Sequence, residues 1–151
     1  MKTILMAVVV AASAAAQTGT DREAAVLSTV SQFVDSFNKG DTKTAAAACA
    51  EQTSIIDEFP PHEWHGVAAC LTWLNDYDVD AKKNAITDGF VTLGKPRHID
   101  ITSERAYLVV PADYVYKKDG KPVKETGSML VLALRKDASG WRITGWSWAK
   151  N

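Results

Sequence analysis

Ala106–Arg135, AYLVVPADYVYKKDGKPVKETGSMLVLALR, holds two β-rich runs joined by a Lys118-Asp119-Gly120 turn signal. In Tyr107–Tyr116 the odd positions (Tyr107, Val109, Val115) and the even positions (Leu108, Val110, Ala112, Tyr114) all avoid charge, and Asp113 is the lone exception. Met129–Leu134 is equally apolar on both sides. An antiparallel sheet with one wet face alternates apolar and polar residues, so strands of this kind predict cover on both faces. Helices supply one cover, and a second copy of the chain is the economical source of the other. A homodimer through the sheet face is therefore expected.

Working outward, further β-rich runs occur at Ile86–Leu93, Arg97–Ser103 and Trp141–Ala149, between turn residues at Gly94-Lys95-Pro96, Ser103-Glu104-Arg105 and Asp137–Gly140. Links this short predict an antiparallel meander rather than a parallel sheet. Upstream the period changes. Val26, Val30, Phe33 and Phe37, with Leu27 and Val34, recur at three-and-four spacing and predict one amphipathic helix over about Thr20–Lys39. Gly40 ends it, and Asp41 caps an alanine-rich second helix over about Thr42–Ala50. A third helix is expected from Gly66 to about Asn84, with Val67, Cys70, Leu71, Leu74 and Tyr77 on its apolar face and Trp73 beside Tyr77 at i, i+4. Helices first and strands after them predict a single α+β domain.

Between the second and third helices lies Thr53–Gly66, TSIIDEFPPHEWHG, with three acids, two histidines and a tryptophan around a double-proline bend. A corner of this composition lines a pocket or is only a well-capped loop. His62-Glu63-Trp64-His65 contains metal-ligand residue types, but H-E-x-H after a double proline lacks the helical spacing of a zinc motif, and no metal is expected.

Met1–Ala16 has a cationic start at Lys2, an apolar core over Ile4–Ala12 and an Ala14-Ala15-Ala16 site, which predicts a signal peptide cleaved after Ala16 and an exported product, periplasmic or secreted. The apolar run is too short to span a bilayer, and no membrane partner is expected. Of the 17 basic residues only Lys2 lies in this segment, leaving 16 against 18 acids, near −2. That mixed, slightly acidic balance excludes a nucleic-acid binder. In an oxidising compartment the only cysteines, Cys49 and Cys70, have reason to pair, and the bridge is worth about 3 kcal/mol on the loop-entropy model; two small buried residues on helix faces are the alternative. No phosphate-binding glycine loop, nucleophile elbow or cofactor lysine motif is present, so no cofactor is expected.

The order helix, helix, IIDEFPPHEWHG, helix, then antiparallel strands ending in GWRITGWSWAK resembles the nuclear transport factor 2-like (NTF2-like) superfamily, in particular its SnoaL-like branch, over residues 20–151. The resemblance implies three N-terminal helices packed in a curved antiparallel sheet, a cone with a pocket at its open end, and sheet-face dimers. It also implies a recurring catalytic acid on the strand after the second helix, which Asp57 matches, with Glu58 one step away on the opposite face. Isomerase members add a tyrosine in the first helix and an inner acid; this first helix offers Phe33 and Phe37 instead, and Asp113 is the candidate inner acid. Asp57 and Asp113 are thus candidates for proton transfer, assisted by His62. Phe37, Trp64, Tyr77, Tyr107, Tyr114 and Trp146 are expected to wall a pocket for a small, mostly apolar molecule. A non-catalytic binding module or interaction dimer is the alternative.

Overall fold

A computed structural model describes residues 18–151; the expected signal peptide lies outside the described residues. Helix α1 (Gly19–Asn38) starts at a capping box, in which the Asp21 amide donates to Thr18 Oγ1 at 3.2 Å and the Thr18 amide donates to Asp21 Oδ2 at 3.3 Å. It buries Val26, Val30, Phe33 and Val34. Its last residue, Asn38, is bound to the strand Ile86–Leu93 by two 2.8 Å hydrogen bonds, donating to Val91 O and accepting from Val91 N. Asp41 caps α2 (Thr42–Ala47) through the Thr44 amide.

The sheet has seven strands: β1 (Cys49–Ile56), β2 (Glu63–Val67), β3 (Ile86–Leu93), β4 (His98–Ile101), β5 (Arg105–Lys118), β6 (Lys121–Asp137) and β7 (Gly140–Ala149), with α3 (Ala69–Lys83) between β2 and β3. The strand order is β2-β1-β7-β6-β5-β3, and β4 also pairs with β5. Strands β3 to β7 pair antiparallel as expected, but β3 and β4 both pair with β5 rather than with each other, so the run is not a simple meander, and β1 lies parallel to β7, so the sheet is mixed. The reason is topological: β1 leaves the helical layer and enters the sheet beside its final strand, a long-range pairing that no local turn encodes. The double-proline bend is the turn of the β1–β2 hairpin, with a cis Pro60-Pro61 bond and Ile55 opposite Trp64. Residues 63–67 are therefore a strand, and α3 begins at Ala69 rather than Gly66. Likewise α2 stops at Ala47, because Cys49 already belongs to β1.

Ala106, Leu108, Val110 and Ala112 of β5, with Leu130, Leu132 and Leu134 of β6, face inward and pack on α1 with Ile143 and Trp146 of β7. The curled sheet and the three helices together form an α+β fold. Cys49 and Cys70 are bridged, S–S 2.07 Å with Cα atoms 6.4 Å apart, which ties the start of β1 to the start of α3. Among the described residues no helix is long and apolar enough to cross a membrane.

Candidate functional site

A cavity of about 280 Å³ lies between α1, α3 and the inner face of the sheet. Its aromatic walls come from elements far apart in the chain: Phe33 and Phe37 on α1, Phe59 on the β1–β2 loop, Trp73 and Tyr77 on α3, Tyr114 and Tyr116 on β5, and Trp146 and Trp148 on β7. Trp73 is the hub, edge-on to Trp146 at 4.7 Å and stacked on Tyr77 at 5.8 Å.

Asp57 follows the inward positions Thr53 and Ile55 of β1 at period two, which turns it to the cavity. Its Oδ2 accepts from the Trp73 indole at 2.8 Å, and its Oδ1 accepts from the Glu58 amide at 2.6 Å. Burial pushes its carboxyl up to about 6, against the pull of those two donors. A carboxyl with this value exchanges a proton near neutral pH. Glu58 lines the cavity as well, contrary to the expectation that only one of the pair turns inward. The alternation that would separate them ends with β1 at Ile56.

Opposite lie the hydroxyls of Tyr77 and Tyr114, in a short hydrogen bond to each other. Burial raises both phenols, and each also depends on the other's hydroxyl. They rest on Gly89, where an added Cβ would stand 2.7 Å from Tyr114 Oη and 2.8 Å from Tyr77 Oη. At the rim, Lys150 Nζ joins Glu58 Oε2 at 2.7 Å to Glu125 Oε1 at 2.8 Å, and Tyr116 Oη donates to the same Glu125 oxygen at 3.0 Å. Hydrogen bonds to Glu125 and then Glu58 raise the Lys150 ammonium well above its usual range. The Trp146 indole N–H is buried without a partner.

Of the expected wall residues, Phe37, Tyr77, Tyr114 and Trp146 line this cavity. Trp64 stands behind Phe59, ring centroids 5.0 Å apart, and donates from Nε1 to Asp76 Oδ2 at 2.8 Å. Tyr107 belongs to the outer face of the sheet, 46% exposed and near His98, because it alternates with the inward Leu108. Asp113 is also outside the lining: it takes an odd, outward position of β5 between the inward Ala112 and Tyr114, where it accepts from the Gly127 amide at 3.2 Å and faces Lys124 at 3.7 Å. His62 is exposed, with Nδ1 3.3 Å from the Asp57 backbone carbonyl rather than its carboxylate. His65 and Glu63 share the exposed face of β2, 3.3 Å apart, and among the described residues no group of three or more His, Cys, Asp or Glu is arranged to hold a metal ion.

The lining residues missed from sequence include Trp73, Trp148, Tyr116, Phe59, Asp80, Lys118, Glu125 and Lys150. Trp148 was accessible through its period-two relation to Trp146. Glu125 and Lys150 meet only through sheet pairing and carry no local signal.

No family model and no curated protein matches the sequence. Solved structures do match the fold. An NTF2-like superfamily protein from Salmonella enterica superposes with a TM-score of 0.74 at 16% identity, over 88% of this chain and 93% of its own. A ketosteroid isomerase-like protein from Erwinia carotovora gives 0.66 at 13%, over 84% and 94%. ActVI-ORFA from Streptomyces coelicolor gives 0.69 at 16%, over 89% and 98%. With the helices, the curled seven-stranded sheet and the inward cavity in place, this chain has the fold of the nuclear transport factor 2-like superfamily.

Proposed function

We propose that this chain is a SnoaL-like protein that holds a small, mostly apolar molecule in its cavity and moves a proton on it without a cofactor. The observation that carries the reading is Asp57: a carboxyl in an aromatic cavity wall, fixed by the Trp73 indole and the Glu58 amide, with a pKa of about 6. As a carboxylate it takes a proton from an acidic carbon or hydroxyl of the ligand, and as an acid it returns the proton to a neighbouring atom. The Tyr77–Tyr114 pair is the hydrogen-bond donor for charge developing on a ligand oxygen, since both phenols stay protonated at neutral pH. In this reading one tyrosine from α3 and one from the sheet take the role that isomerase members give to a tyrosine in the first helix.

The protein works outside the cytoplasm after cleavage at Ala16, in keeping with the Cys49–Cys70 bridge. It pairs with a second copy through the outer face of the sheet. The test of the chemistry is α-proton exchange of 2-tetralone in D2O, followed by NMR. The wild type is expected to accelerate exchange, and Asp57→Asn to lower the rate by about 100-fold or more while tryptophan fluorescence still reports ligand binding. Exchange unchanged in Asp57→Asn removes the catalytic reading.

A further inference from the structure

The cavity lining carries four carboxylates, Asp57, Glu58, Asp80 and Glu125, against two ammonium groups, Lys118 and Lys150, a formal charge of −2. These acids are unequally satisfied. Glu125 Oε1 receives both Lys150 Nζ and Tyr116 Oη, whereas Glu125 Oε2 is buried with no hydrogen-bond partner, on a side chain only 13% exposed. An orphaned carboxylate oxygen in a buried wall is costly unless something entering the cavity donates to it. The Asp80 side chain also has no hydrogen bond or ion pair among the described residues. The rings of Trp73, Trp146, Trp148 and Tyr77 line the same cavity, and aromatic π-systems attract a desolvated cation. An anionic ligand meets surplus negative charge here, and a ligand without a donor leaves Oε2 unpaired.

We infer that the ligand carries a protonated amine on a compact aromatic or alicyclic body, and that Glu125 Oε2 receives its N–H. The inference rests on the reading of the cavity as a small-molecule site and names the ligand class. A volume of about 280 Å³ sets the size at one or two rings.

The test is calorimetric titration of the full chain at low ionic strength and pH 7.5 with 1-naphthylmethylamine, 1-naphthylmethanol and 1-naphthoate. The amine is expected to bind about tenfold or more tighter than the alcohol, and the carboxylate weakest. Glu125→Gln should bring amine and alcohol to within about threefold of each other. Asp80→Asn, which leaves the Lys150 ion pairs untouched, should lower the amine preference alone and so serves if the first variant fails to fold. Equal binding of amine and alcohol by the wild type, or a preference unchanged in both variants, overturns the ammonium assignment and leaves the cavity reading standing. Binding of none of the three overturns both.

Discussion

At the scale of single residues, the Trp73 indole and the Glu58 amide fix the Asp57 carboxyl in the cavity wall. Period-two burial through Thr53 and Ile55 turns it inward, and that much can be read from β-branched residues feeding a bend. Glu58, Glu125 and Lys150 gain their roles from a loop and two strand ends that only tertiary structure brings together. Asp113 misleads in the other direction: a lone charge in an apolar run suggests a buried acid, but it holds an odd, outward position of β5 between the inward Ala112 and Tyr114. The raised pKa of Asp57 has a consequence for stability with a definite sign. Its folded value of about 6 lies above an unfolded value of about 3.9, so between these pH values the folded state binds more protons than the unfolded one. Stability contributed by this group is fully present below about pH 4 and is lost as pH rises to about 6, an effect on the order of 3 kcal/mol. Asp57→Asn should abolish that slope in urea titrations run from pH 4 to 7; an identical slope in both proteins places the proton elsewhere.

At the scale of elements, the strands of residues 86–149 were legible because each is bounded by its own turn chemistry, and the β4–β5, β5–β6 and β6–β7 pairings are local, whereas the β3–β5 pairing skips β4 and was not. β2 was hidden in a corner too short and polar to read as a strand, and the parallel β1–β7 pairing has no sequence signal at all. Two links hold the site across elements. The disulfide fixes α3 to β1 one turn before Trp73, the residue that holds Asp57. The variant Cys49→Ser/Cys70→Ser should lose about 3 kcal/mol by urea denaturation, with a changed near-UV tryptophan spectrum that reports the freed indole. Gly89 is the second link, since the β3 backbone under the tyrosine pair leaves no room for a methyl group. Gly89→Ala should part the two hydroxyls and cost about 1–3 kcal/mol, and a crystal structure with the pair intact would contradict this.

For the whole molecule, the inner face of the sheet is spent on α1 and the cavity, while no helix among the described residues covers the outer face. Cross-strand neighbours there are Tyr107 and Ala133, Val109 and Val131, Pro111 and Met129, a ladder without charge along two of the longest strands. Phe90 on β3 is half exposed as well. Apolar surface in one continuous strip favours burial against an identical strip, and a two-fold axis through the sheet lets each copy cover the other. If that pairing forms, a charge placed at its centre must be desolvated twice, once in each copy, whereas on a monomer the same charge faces water at little cost. Val131→Asp should therefore convert a dimer of about 30 kDa to a monomer by light scattering at micromolar concentration, with the far-UV spectrum unchanged. A wild-type chain that already scatters as a monomer would mean that the outer strip is covered by something other than its own copy.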